Sequence, residues 1–497
     1  MIVPDMAVSM PLFVAVSGIV MYFVAKFLPR HLRQWTGMLS AIWLIAAFCL
    51  MFSVIVQHSP TSTISFIGIT GGLLVTGLGA IAAWASQGRL DPKGPVQLYY
   101  PLFLFALAGA VAIGFATDLF TIFVAVELSA IPVYALVAYR HKEDPLALSA
   151  ALKYLLQGVV GTITALLGVS ILYLAGHTLS LSALPGALAG ANQSLVLFAA
   201  ILIVLGYGVK LAIVPLHTWL PDAYARAPCG VTVIMVGATK MGILIALFLS
   251  LSALPASTVV PGTLGIVITF FAVLTMTAGN LLALNQPNLR RVLAYSSIAQ
   301  MGYILLGFGI GLIYNLPLGF TAGLYYAIAY SVMKGGAFIA ADAFAAEAGS
   351  PDIAQMKGLG ARHPLIGISF VIFVFGLIGV PFTCGFLGKL LLEQAGMVTS
   401  MMSGVALALI LALNSVISLG YYVPILSTLM FSRTSPVHAG ELSGDGLEMR
   451  LPAKKIPASV LSAVVVLAII TVYFGLFPES FDWITHAAGQ LFPWGVT

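Results

Sequence analysis

The chain is 497 residues long, with 60% hydrophobic and only 7% charged residues and a mean hydropathy of +1.07. That balance excludes an ordinary soluble domain and fits a polytopic membrane protein. The net charge of +5 is spread over sparse loop charges, which argues for orientation in a membrane rather than nucleic-acid binding.

Apolar segments fall at 6–28, 36–56, 64–86, 99–117, 119–139, 149–175, 195–215, 228–252, 260–284, 290–312, 317–345, 363–393, 403–431 and 457–477. At about 20 residues per crossing, these fourteen segments predict an all-α membrane protein of about fourteen transmembrane helices. The first segment ends in Lys26, Arg30 and Arg33 and shows no cleavable signal pattern, so it reads as the first helix. Basic residues follow segments 1, 3, 5, 7, 9, 11 and 13, as in Arg89/Lys93, Arg140/Lys142, Arg226, Arg290/Arg291, Lys357/Arg362 and Arg433/Arg450/Lys454/Lys455. The loops after segments 2, 4, 6, 8, 10 and 12 have no Lys or Arg outside the helices themselves. The positive-inside rule then predicts a multi-pass protein of the cytoplasmic (cell inner) membrane with both termini on the outer side.

Five lysines, Lys153, Lys210, Lys240, Lys334 and Lys389, lie inside these segments, and Glu127 lies in another. A charge at mid-bilayer costs roughly 2.5–3.5 kcal/mol even on lenient scales, so intramembrane ionisable groups read as functional. Two segments carry a proline near their lysine. Lys210 precedes Pro215 and Pro221, and Pro381 precedes Lys389 within GVPFTCGFLGK. Proline frees backbone groups that must then be buried in protein or wetted. Broken helices at corresponding places in two halves point to an ion path built on inverted repeats. Segments 7 and 12 are five apart, which predicts two inverted five-helix repeats, segments 4–8 and 9–13. The domains expected are a three-helix segment 1–98, a first repeat 99–252, a second repeat 260–431, and a C-terminal loop and last helix 432–497.

The cysteines Cys49, Cys229 and Cys384 are far apart and form no CxxC pair, which argues against iron–sulfur ligation. No GxGxxG follows a strand pattern, and GFGIG at 307–311 lies in an apolar helix, where packing is the expected role. The eight histidines show no paired spacing for haem or metal. No cofactor or metal is therefore expected on this chain.

The segment KLAIVPLHTWLPDAYARAP at 210–228 resembles the span 7 signature of the antiporter-like subunits of respiratory complex I and its relatives. NLLALNQPNLRRVLAYSSIAQMGYILLG at 280–307 and DLFTIFVAVELSAIPVYALVAY at 118–139 resemble two further signatures of that family. The likeness covers segments 4 to 13. Among the paralogues the chain is most similar to the N-type: Lys389 in GFLGK matches that type, where the M-type usually carries glutamate. The chain stops soon after segment 14, without the long lateral helix of the L-type. In overall texture it resembles N-type chains of archaeal deazaflavin (F420H2) dehydrogenases. Lys334 in YSVMKGGAF departs from the usual N-type pattern, which leaves a subunit of an Mrp-type cation/proton antiporter as an alternative. A silent structural scaffold is the second alternative.

The resemblance implies roles. Glu127 and Lys210 match the family's glutamate–lysine pair, worth roughly 3 kcal/mol at about 6 Å and an effective dielectric near 20. Its separation releases a proton and its restoration recaptures one; the plainer reading is a static pair that fixes packing. Lys240, in VGATKMGIL, matches a central relay lysine, and Lys389 a terminal one that loads or releases protons. Lys334 is placed to bridge them. Lys153 either modulates Lys210 by like-charge repulsion or snorkels to the interface. His217 and Asp222 are expected to cap or anchor the break, Asp118 to cap a helix, and Tyr224, Tyr295 and Ser296 to offer hydroxyls to a water chain. Asp342 and Glu393, near helix ends, are expected to be wet. The implied function is proton translocation within an NADH-quinone oxidoreductase-like complex. Flavin and iron–sulfur clusters would sit in partner chains, and membrane neighbours of the M-, L-, K-, A-, J- and H-types would be the partners, together with lipid and protons.

Overall fold

A computed structural model describes residues 3–57, 63–87, 89–90, 95–255, 259–399, 401–432 and 456–481. Of the expected loop charges, Lys93, Arg433, Arg450, Lys454 and Lys455 lie outside the described residues. The chain opens with α1 (Val3–Phe27), α2 (Thr36–Gln57) and α3 (Thr63–Ser86). Then come α4 (Val96–Gly114), α5 (Leu119–Val137), α6 (Leu146–Gly176), the short α7 (Leu184–Leu188), α8 (Gln193–Leu211) and α9 (Leu220–Arg226). A π-helical turn, Met235–Thr239, joins α10 (Cys229–Ile234) to α11 (Lys240–Ser252). Next are α12 (Val259–Ala283), α13 (Leu289–Tyr314), α14 (Pro317–Ala348), the single turn α15 (Leu359–Arg362) and α16 (Pro364–Ile378). The last helices are α17 (Cys384–Thr399), α18 (Met401–Leu426) and α19 (Ala458–Leu476).

Among the described residues, twelve helices are long and apolar enough to cross a membrane, or thirteen if 353–362 and 364–378, bent by 115°, count as one crossing. The expected fourteen are not reached by that measure, for two physical reasons. Segment 317–345 is α14, which has the length but carries Lys334 and Asp342. Segment 363–393 is divided into α16 and α17.

Every residue from Cys229 to Leu251 is buried, so the helix carrying Lys240 stands at the centre. By contrast α1, α6, α12 and α18 expose large apolar side chains such as Leu12, Leu156, Phe270 and Val416, as lipid contact requires. Small residues permit the close packing inside. A Cβ on Gly307, within GFGIG, would lie 2.7 Å from the Gly319 carbonyl oxygen of α14, so the glycines there serve packing, as expected.

Two local devices recur. Asp118 accepts from the Thr121 amide (2.8 Å) and caps α5, while Asn288 accepts from the Arg291 amide (3.1 Å) and caps α13. Each cap residue also forms an isolated antiparallel bridge, Asp118 with Ser180 and Asn288 with Asp352. Those partners lie just beyond the left-handed residues His177 and Gly349, which end α6 and α14.

Candidate functional site

Both proline-bearing segments are broken helices. After α8 the chain turns through Ala212 (φ 61°) and a cis Val214–Pro215 bond. Carbonyls and amides freed there find partners: Trp219 Nε1 donates to the Val209 oxygen (2.8 Å), and the Val214 amide to Thr275 Oγ1 (3.0 Å). After α16 the chain turns through Gly379 (φ 97°) and Phe382 (φ 71°). Here the orphan carbonyls of Leu377 and Ile378 accept from Lys389 Nζ at 3.2 and 2.8 Å.

Lys210 ends α8 at the first break. Its Nζ donates to Glu127 Oε1 of α5 at 2.8 Å and to Tyr134 Oη at 3.2 Å. Thr162 of α6 donates to the same carboxylate oxygen at 2.6 Å. The Glu127–Lys210 pair expected from the resemblance is thus assembled from three helices. Behind it lies an internal cavity of about 10 Å³, lined by Lys210, Ser129, Thr239 and Lys240 among others. One water needs roughly 10–15 Å³ and two or more polar partners.

Lys240 follows the π-helical turn directly, at the kind of helix irregularity often found where function needs one. It is 2% exposed, and its Nζ has no hydrogen-bond partner among the described residues. It sits 5.5 Å from the Tyr224 ring centroid and 5.8 Å from that of Tyr330. Ring faces attract a cation but supply no acceptor.

Lys334, buried in α14 one turn beyond Tyr330, donates to the Leu293 oxygen (3.0 Å) and to Tyr422 Oη (3.3 Å). The expected hydroxyl of Ser296 is there too, 2.5 Å from Tyr422 Oη. From Tyr422 the polar side chains continue through its neighbour Tyr421, which donates to Asn280 Oδ1 (3.0 Å). Asn280 donates in turn to Asn414 Oδ1 (3.1 Å). The adjacent Ser415 accepts from Lys389 Nζ at 3.0 Å, and the Tyr303 ring lies 4.7 Å from that ammonium.

The structure therefore brings Glu127, Lys210, Lys240, Lys334 and Lys389 into one internal series: a small cavity lies between Lys210 and Lys240, the Tyr330 ring stands beside Lys240 one turn from Lys334, and hydroxyls and amides lead from Lys334 toward Lys389. Lys153 stands apart. Its side chain is 54% exposed and pairs with Asp222 Oδ2 at 2.7 Å, so it meets neither Lys210 nor the interior series. Asp222 also pairs with Arg291 (3.3 Å), which gives it the anchoring role expected. The expectation for Asp342 is corrected. It is buried at 8% exposure and held by Arg89 and Arg290, because α14 ends against both arginines instead of in water. Glu393 is half-buried on α17. His217 lies in the first break, where its carbonyl accepts from the Leu220 amide. Tyr134, Thr162, Ser129, Tyr422 and Ser415 were not anticipated, since single hydroxyls in apolar helices carry no distinguishing pattern.

Buried lysines strung between two broken helices define a class of polytopic membrane protein with an ionisable path through its interior. Within that class, the chain belongs to the family described as NADH:quinone oxidoreductase/Mrp antiporter, TM, which matches residues 116–418. It is 32% identical over 499 residues to F(420)H(2) dehydrogenase subunit N of Methanosarcina mazei, covering 95% of both chains. It is 36% identical over 387 residues to NADH-quinone oxidoreductase subunit N of Chlorobium chlorochromatii, covering 76% of this chain and 72% of that one. In structure it is similar to a chain of the membrane-bound sulfane sulfur reductase, an archaeal respiratory membrane complex. That match has a TM-score of 0.82 and 25% identity, and it covers 99% of this chain and 98% of the other. The resemblance to N-type subunits and the all-helical membrane fold both stand.

Proposed function

We propose that this chain is a proton-translocating, antiporter-like membrane subunit of a complex I-type dehydrogenase. Glu127, Lys210, Lys240, Lys334 and Lys389 carry the protons. The observation that supports this most is Lys240: an enclosed ammonium with no acceptor among the described residues, facing a water-sized cavity that it shares with Lys210. A lysine kept for packing would have its donors paired, as buried polar groups nearly always do. The end-to-end likeness to dehydrogenase N subunits favours a redox-driven complex over a free-standing cation/proton antiporter.

The working step is the opening of the Glu127–Lys210 pair. Moving it from contact to about 6 Å costs about 3 kcal/mol at an effective dielectric near 20. One proton moved against 100 mV needs about 2.3 kcal/mol, so one such opening is of the right size. Electron transfer takes place in partner chains that hold flavin and iron–sulfur clusters, and its free energy reaches this chain by conformational and electrostatic coupling through neighbouring membrane subunits. Lys153 acts at the margin, by holding Asp222 beside the first break. The recurring cap-and-bridge device and the two breaks support repeats at 99–252 and 260–431. Arg89, Arg140, Arg226, Arg290 and Arg291 gather about one cavity, which supports a common cytoplasmic side for those loops and outer termini.

The test is proton pumping by the assembled complex in vesicles, comparing Lys240→Ala and Lys210→Ala with wild type, with assembly followed on native gels. Both variants are expected to assemble and to lose coupled pumping. Variants that assemble and pump normally would make the chain a scaffold.

A further inference from the structure

Away from the lysine series, a cavity of about 530 Å³ opens where the ends of several helices meet. Ligand sites commonly occupy roughly 300–1,000 Å³. Its wall includes Arg89, Arg140, Arg226, Arg290, Arg291 and Asn288. Two aspartates, Asp144 and Asp342, also line it, so the wall has a formal excess of three positive charges.

Both aspartates are already engaged. Asp342 is held by Arg89 and Arg290, and Asp144 Oδ2 lies 2.5 Å from Arg226. Arg290 is the most enclosed of the cations, with its side chain 8% exposed. Its two Nη atoms donate to the Ala225 and Ala227 carbonyls, and its Nε has no acceptor among the described residues. Arg140 meets Glu143 at only 3.9 Å. Arg291 meets Asp222 at 3.3 Å and shares that carboxylate with Lys153. The side chains of Arg140, Arg226 and Arg291 are each about one-third exposed, and all three line the opening. Asn288 spends its Oδ1 on the Arg291 amide, which leaves its amide nitrogen to donate.

With both aspartates bound to arginines, such a wall presents a surplus of donors to an incoming group. Guanidiniums in a planar fork match phosphate oxygens two at a time, more closely than a lysine would. The donors also come from both sides of a seam. Arg140 and Arg226 belong to 99–252, and Asn288 and Arg291 to 260–431. We infer that this cavity binds a phosphate-bearing anion, which bridges the two halves of the chain by engaging Arg140, Arg226, Arg291 and Asn288. Two sources supply that chemistry: a soluble polyphosphate, or the headgroup of an anionic phospholipid at the membrane edge.

The test uses the purified, assembled complex with wild-type chain, with the double variant Arg140→Gln/Arg226→Gln, and with Arg291→Gln alone. All three leave the Arg89–Asp342–Arg290 cluster intact. In one arm, inorganic pyrophosphate is titrated calorimetrically in lipid-free detergent. In the other, the complex is reconstituted in nanodiscs containing phosphatidylglycerol and re-extracted, and retained lipid is counted by native mass spectrometry. Pyrophosphate binding weakened at least about tenfold in either variant, a factor of ten in the dissociation constant, assigns a soluble polyphosphate. Phosphatidylglycerol retained by wild type and lost from either variant, without pyrophosphate binding, assigns a lipid headgroup. Binding of neither by wild type, or equal binding by wild type and variants, overturns the inference. If the double variant does not assemble, Arg291→Gln is read on the same terms.

Discussion

The two broken helices hold their lysines in opposite ways. At the first, Lys210 faces a carboxylate and the break is held by other groups, Trp219 and Thr275. At the second, Lys389 bonds three neutral acceptors, two of them carbonyls of the break itself. Lys210 is therefore one half of an ion pair whose strength depends on separation. Lys389 is a cation at a helix C-terminus, where the macrodipole favours positive charge. The first site is suited to switching by movement of a partner. The second ties its own proton to the shape of the chain around it, because an ammonium that loses its proton donates less well to those carbonyls.

The largest effect expected from this contrast is at Glu127. Glu127→Gln keeps a hydrogen-bond acceptor beside Lys210 but removes the charge. Breaking a buried pair from one side costs roughly 3–5 kcal/mol, so coupled pumping in vesicles is expected to fall at least about tenfold. At Lys389 no single neutral acceptor is expected to matter as much, and Ser415→Ala serves for comparison. Equal losses from Glu127→Gln and Ser415→Ala would erase the distinction between the two sites.

A middle-sized effect separates the breaks by their stability. Lys389→Met strips the donor from the Ile378 carbonyl and leaves Leu377 with a longer bond from Gln300 at 3.4 Å. An unsatisfied buried acceptor costs about 1–3 kcal/mol. Hydrogen exchange at residues 379–386 is therefore expected to quicken by about tenfold or more. Lys210→Met touches none of the bonds that hold 212–219, so exchange there is expected to stay at the wild-type rate. Faster exchange at 212–219 in that variant would show that the ion pair, too, holds its break.

Much of this arrangement was legible in the sequence because it rests on residue types that a bilayer tolerates poorly. Lysine at mid-segment, proline beside it, and arginines after alternate segments all stand out against an apolar background. What stayed hidden was the company those residues keep. Lys153 looks like the other lysines by its place in an apolar segment, but α6 turns it outward to Asp222. Asp342 looks like a wet helix end, but Arg89 arrives from 253 residues away. Thr162 and Ser415 gave no signal, since a lone Ser or Thr hydroxyl in an apolar helix usually bonds its own backbone, as Ser331 does with the Ala327 oxygen (2.8 Å), and Tyr134 and Tyr422 gave none because tyrosines are scattered through these helices.

Ser129 is one hydroxyl that departs from that habit, and it yields the smallest and most specific effect. It is 2% exposed, its Oγ has no hydrogen-bond partner among the described residues, and it lines the cavity between Lys210 and Lys240. A polar atom left unpaired beside an equally unpaired ammonium is where a bridging water finds partners. Removing the hydroxyl takes away one of them without disturbing the Glu127–Lys210 pair or either break. Ser129→Ala is expected to slow pumping by roughly two- to fivefold, about 0.4–1 kcal/mol on the barrier, with assembly unchanged. Ser331→Ala, which removes a hydroxyl already satisfied by its own helix, is expected to pump at the wild-type rate. Equal slowing in both would mean that the loss comes from packing, and the cavity between the two lysines would then have no part in passing protons from the ion-paired half of the chain to the half held by carbonyls.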